Sequence, residues 1–109
     1  MSKSREIYTG ILIDENAIYT LLELCEICNV KPPFVVEMVE YGILQPEGEK
    51  LELWQFSEKQ LEISKRALRL QRDLELDLAA VAVVEQLLEE MDELHAKIAQ
   101  LEHQLQLLK

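Results

Sequence analysis

Apolar positions along this chain change period several times, and each change marks an element. Residues 7–13 form a short β-branched run broken by Gly10, which predicts a strand or strand pair, and 14–16 supply the turn after it. Ile18 and Tyr19 continue as a short extended segment. From Thr20 the period lengthens: Leu21, Leu24, Cys25 and Cys28 recur at three- and four-residue spacing. Thr20 and Glu23 have the form of a capping box, so a helix is predicted over 21–28. The stretch from Asn29 to Pro33 breaks it, and proline is tolerated in a helix's first turn because its missing N–H has no partner there. A second helix therefore starts at Pro32 or Pro33, with Phe34, Val35, Met38 and Val39 inward and Gly42 at its end. Two short helices with so brief a connection predict a helix-turn-helix.

Three further elements follow. Residues 43–46, a polar turn with Gly48, and the alternating 51–56 predict a small hairpin, the wing that often follows such a helix pair. Ser57 with Gln60 is a second capping box, opening a helix of 58–73. Asp77 caps a last helix that starts at Leu78.

That last helix carries the most regular pattern of the chain. Val84, Leu87, Met91, Leu94, Ile98, Leu101, Leu105 and Leu108 follow one another at alternating spacings of 3 and 4 with no Gly or Pro between them. This is an a/d register of a coiled coil. Its length, roughly 37 Å at 1.5 Å per residue, exceeds what a domain of this size can cover. Burying eight such side chains is worth on the order of 12–24 kcal/mol gross. The expectation is a homodimer through these eight residues; the alternative is a seam folded back on its own domain. Lys97 with Glu102 suits a parallel pair, but one pair does not decide the orientation.

Composition narrows the class. At 109 residues with 49% apolar types, the chain can form one small domain and an arm. The expected division is 1–76 for the domain and 77–109 for the coiled-coil helix. No apolar run approaches the roughly 18 residues of a membrane span, and residues 1–8 lack a leader's apolar core. A cytoplasmic protein without membrane contact is expected. Eleven basic against twenty-one acidic side chains give a net charge of −10, a poor basis for gripping phosphates.

The residues Tyr19 to Cys25, Asn29-Val30, Glu40-Tyr-Gly-Ile-Leu-Gln-Pro46 and the run from Leu61 through Arg69-Leu70 to Leu78 resemble the MerR-type winged-helix pattern. Within it, Arg66-Ala-Leu-Arg-Leu-Gln-Arg-Asp-Leu-Glu-Leu-Asp77, followed by small residues and a Leu-rich arm, is similar to the CbpM-type chaperone-modulatory proteins. The likeness runs from about Ile7 to Leu108. It implies a fold that is mainly α with a small β component: a MerR-like winged helix-turn-helix followed by a C-terminal coiled-coil helix. It also implies a function, binding the J-domain of a DnaJ- or CbpA-like co-chaperone and inhibiting its stimulation of DnaK.

The charge pattern bears on the choice between protein and DNA independently of the likeness. A DNA-reading helix needs Arg, Lys, Asn or Gln to reach bases and phosphates. Here the second helix offers Glu37 and Glu40, and the wing offers Glu47, Glu49 and Glu52 against Lys50. From Asp14 to Glu58 there are ten acids and two bases. These carboxylates would repel phosphate, whereas the basic helix of a J-domain is complementary to them. Any one of them taken alone fits a solvated surface equally well. Phe34, Tyr41 and Tyr8 are the candidate apolar anchors, each otherwise a core residue.

Lys65, Arg66, Arg69 and Arg72 share one helix face. They either contact a partner or pair with the nearby acids Glu62, Asp73, Glu75 and Asp77; in so acidic a chain, pairing is expected. Cys25-x-x-Cys28 lies late in an amphipathic helix and lacks the second ligand pair of a structural zinc site. Buried thiols are expected, with no metal or cofactor. No nucleophile elbow, P-loop, HExxH or dinucleotide fingerprint is present, so catalysis is not expected. The alternative function is a MerR-like, DNA-binding transcription regulator using the basic third helix.

Overall fold

The computed structural model of the chain describes residues 16–108, so the predicted strand at 7–13 and the candidate anchor Tyr8 lie outside the described residues. Strand β1 (Ile18–Thr20) runs directly into helix α1 (Leu21–Cys28). The Thr20 hydroxyl accepts from the Glu23 N–H, and the Glu23 carboxylate accepts from the Thr20 N–H, which is the reciprocal box the sequence predicts. Asn29 ends α1 in the left-handed region, where its own N–H and that of Val30 return to the carbonyls of Glu26 and Cys25. Helix α2 (Pro32–Glu40) starts on its proline pair. Gly42, at φ +80°, closes it, with the Gly42 and Ile43 N–H groups bonded to Val39 and Met38. Ile43 and Met38 are both buried, the apolar contact that goes with this termination.

The expected hairpin takes a different form. Leu51–Leu53 is a single 3₁₀ turn rather than a strand, and its arm of the hairpin shrinks to one antiparallel bridge between Glu47 and Gln55. Strand β2 (Gln55–Ser57) pairs instead with β1, setting Tyr19 opposite Phe56. The Leu51/Leu53 alternation that suggested a strand has no core to face: both side chains are exposed. Gly48 is required here, because a Cβ on it would run into the Leu53 carbonyl.

Helix α3 (Glu58–Leu74) is capped by Ser57, whose hydroxyl accepts from the Gln60 N–H. The second half of the expected box is not made. The Gln60 side chain instead accepts from the Gln45 N–H and donates to the Gln45 carbonyl, both at 3.0 Å. Helix α4 (Leu78–Leu107) starts at Asp77, whose carboxylate accepts from the Ala80 N–H.

The core lies between the helix-turn-helix, β2 and the α3–α4 pair. Leu24, Val35, Met38, Leu44, Phe56 and Val81 are its largest fully enclosed apolar side chains. Tyr19 ties the sheet to α3, its hydroxyl donating to the buried Glu58 carboxylate at 2.6 Å. The first turns of α4 belong to this core through Leu78 and Val81. Among the described residues no helix is long and apolar enough to cross a membrane.

Candidate functional site

Helix α2 is the second helix of the helix-turn-helix, and its outer stripe sets the chemistry that it presents. Pro33, Glu37, Glu40 and Tyr41 recur at helical spacing and are all exposed. The stripe presents two carboxylates and one aromatic ring, and no cation follows Lys31 on it. Tyr41, at the C-terminal end of α2, is 47% exposed. Phe34 is not its counterpart: its ring is half-buried and packs on the core. The other predicted carboxylates sit on a different element. Glu47 and Glu49 lie in the loop after α2 and Glu52 in the 3₁₀ turn, all exposed, beside the exposed Leu51 and Leu53. The five glutamates thus fall into two sets, Glu37 and Glu40 on a helix and Glu47, Glu49 and Glu52 around a turn.

Between α2's end, α3 and α4 the surface opens into a cleft of about 490 Å³. Tyr41, Ile43, Ile63 and Val83 contribute apolar lining, and Glu89 and Asp92 on α4 line it too. At its base Glu85, buried to 8% exposure, accepts two hydrogen bonds from Arg66: 2.9 Å from Nε to Oε2 and 2.6 Å from Nη2 to Oε1. This bond with Glu85 is the main cause raising the Arg66 pKa, with burial opposing it and the charges of Glu85 and Asp92 adding to it.

The basic face of α3 is therefore partly consumed. Arg72 pairs with Asp73 at 2.9 Å, as the neighbouring acids lead one to expect, and this bond holds the Asp73 carboxyl below its ordinary range. Arg66 finds Glu85, nineteen residues on, rather than Glu62, Asp73, Glu75 or Asp77. A signal for this existed, since Arg66 and Glu85 are nearly equidistant from the α3–α4 joint and two antiparallel helices bring such positions together. Lys65 and Arg69 remain on the exposed side of α3.

The cysteines are free thiols, Cys25 buried and Cys28 half-buried. Burial pushes both thiols up; at Cys28 the charge of Lys65 draws part of this back. Neutral, enclosed thiols are poor nucleophiles. Among the described residues no three His, Cys, Asp or Glu side chains gather as metal ligands would.

Along α4, Val84 is half-buried. From Leu87 on, the other seven seam residues are between 49% and 82% exposed. They form one continuous apolar stripe against which nothing packs among the described residues. The cleft and the exposed Val83 were not foreseen from sequence, since an apolar residue outside an a/d register reads as core.

Comparison with known proteins places this arrangement. Residues 19–103 match the family model described as MerR HTH family regulatory protein. The chaperone modulatory protein CbpM of Pseudomonas entomophila (strain L48) is 37% identical over 82 residues, covering 75% of this chain and 81% of that one. CbpM of Pseudomonas putida (strain W619) is 34% identical over the same shares. CbpM of Coxiella burnetii (strain Dugway 5J108-111) is 28% identical over 99 residues, 91% of this chain and 93% of its own.

Proposed function

The chain belongs to the CbpM-type chaperone-modulatory proteins of the MerR helix-turn-helix family, and on that footing we propose that it modulates a chaperone without catalysing a reaction. Its target is the J-domain of a DnaJ- or CbpA-like co-chaperone, and its effect is to block that domain's stimulation of DnaK. The observation that carries this reading is the outer stripe of α2, which offers Glu37, Glu40 and Tyr41 where a DNA reader would offer cations. The acidic loop with Glu47, Glu49 and Glu52 extends the same sign of charge. A basic J-domain helix would be drawn to such a surface, and the attraction would weaken with salt because the screening length is about 8 Å at physiological ionic strength. Two copies pair through the α4 seam: seven of its eight apolar side chains are between 49% and 82% exposed, and a second copy would remove them from water.

Calorimetry of the J-domain with the unaltered chain and with the five glutamates reversed to lysine tests the reading, alongside stimulation of DnaK's ATPase. Binding by the unaltered chain, lost on reversal, is the expected result. Absence of binding by the unaltered chain would overturn it. The family's description and the exposed Lys65 and Arg69 favour one competitor, a DNA-binding regulator. Salt-sensitive capture of duplex DNA in a gel shift would establish that competitor instead.

A further inference from the structure

The outer edge of β1 carries backbone groups and apolar side chains that call for a cover. Gln55 exchanges both of its backbone bonds with Glu47, at 3.1 and 2.9 Å. Backbone groups alternate in direction along a strand, so Phe56 turns its N–H and C=O to β1, where Tyr19 stands opposite. Ile18 and Thr20 therefore turn theirs the other way, to the outer edge. The Thr20 N–H is taken there by the Glu23 carboxylate. The N–H and C=O of Ile18 have no partner among the described residues, and its side chain is 58% exposed. Leu22, in the first turn of α1, adds a second exposed apolar group. A strand edge of this kind accepts another strand.

Tether, spacing and pattern select the occupant. Residues 14–17, Asp-Glu-Asn-Ala, lead straight into Ile18, and Asn16 lies in a turn. A four-residue hairpin loop at this place brings Ile13 opposite Ile18. The alternation of β1 requires that register, since it opposes Ile13 to the residue whose backbone groups face outward. Leu12 then meets Tyr19, Ile11 meets Thr20, and Ile11 and Ile13 share the face of Ile18. Gly10 falls where β1 has already become α1, so pairing has no further rung to make. We propose that residues 11–13 add as a third strand to the outer edge of β1. A segment joined to the edge by so short a loop acts at an effective concentration of about millimolar, which a free chain would have to exceed to displace it. The edge is thereby closed to strand addition by other molecules. The third strand depends on neither the acidic stripe of α2 nor the α4 seam, and holds whether or not a J-domain binds.

Nuclear magnetic resonance of the full, isotope-labelled chain supplies the test. A cross-peak between the α-protons of Leu12 and Tyr19 is expected, because facing residues between two hydrogen-bonded rungs bring these protons close. The Ile18 amide is expected to exchange about a hundredfold more slowly than an unprotected one. Ile13→Pro removes the N–H that the Ile18 C=O would accept. This variant should erase the cross-peak, speed exchange at Ile18 by about tenfold and lower the melting temperature by about 5 °C at fixed protein concentration. Unchanged protection at Leu24 and Val81 marks its fold as intact. Absence of the cross-peak in the unaltered chain overturns the proposal, and so does Ile13→Pro if Ile18 stays equally protected. A cross-peak that arises only between copies, in a mixed labelled and unlabelled sample, would give the edge to a second copy and overturn it too.

Discussion

Helix α4 lives in two environments, and its two ends make an instructive pair. At the start, Leu78 and Val81 are enclosed and Glu85 is buried against Arg66. From Glu89 to Leu108 every residue is exposed, although the apolar register is at least as regular there. Regularity and burial are thus separate properties. The early turns are fixed by the side chains of α3 and the core. The later turns carry an equally apolar stripe that no described residue covers. A helix that is half foundation and half unpaired seam fits a module meant to be joined to something.

The two environments predict different penalties for the same kind of change. Phe56→Ala, in the enclosed core, should lower stability by about 3–5 kcal/mol, read from a denaturant midpoint at any protein concentration. A seam change such as Ile98→Asp should act mainly on association, weakening the proposed dimer by about a hundredfold. Melting curves at two protein concentrations separate the cases: the core variant shifts both equally, while the seam variant abolishes the concentration dependence. Arg66→Ala strands the buried Glu85 carboxylate where foundation meets arm. It should cost about 2 kcal/mol, less than a fully buried pair because the guanidinium is partly solvated. Arg66→Lys should recover only part of this, since one ammonium cannot serve both oxygens.

Smaller effects sharpen the boundary further. Glu75 joins α3 to α4 in the left-handed region, at φ 55°. Glu75→Gly should raise stability by about 0.5 kcal/mol, visible as a small rise in the unfolding midpoint. The least of these effects is alkaline. Burial raises the folded-state pKa of Cys25 and Cys28 above the ordinary 9.0. Their contribution is therefore fully present below pH 9.0 and fades as pH rises from there through the folded-state value. Denaturant midpoints at pH 8 and pH 10 should differ less in a Cys25→Ala, Cys28→Ala variant than in the unaltered chain.

What could be read without coordinates was what the chain decides locally. Thr20, Asn29, Gly42, Ser57 and Asp77 start or stop helices through bonds spanning only a few residues, and their types declare it. The exposed α4 stripe and the acidic face of α2 were legible for the same reason. Features closed by distant partners were not. Leu51 and Leu53 alternate as a strand does, yet the pairing that makes a strand belongs to Gln55–Ser57 and lies with residues 18–20. Gln60 completes a capping motif on paper, but the Gln45 backbone outcompetes the helix end for its amide. The cleft combines three elements, so no local pattern announces it; Tyr41 is a candidate anchor on sequence grounds, whereas Val83 and the cleft that both line are seen only in the fold.

The Gln60 amide has a consequence for everything hung from the segment after α2. With Gln45 it makes the pair of bonds that a neighbouring strand would otherwise make, and two residues later Glu47 makes the next pair with Gln55. Gln45 and Glu47 are therefore consecutive rungs of one ladder whose first upright is a side chain. Pro46, between them, has no N–H to offer and leaves the ladder undisturbed. A glutamate in place of Gln60 would point an oxygen at the Gln45 carbonyl and lose the donated half of that first rung, leaving only acceptance from the Gln45 N–H. The turn bearing Glu47, Glu49 and Glu52 would then hang from one bridge and half a rung, its negative charge held less firmly at a set distance from the helices.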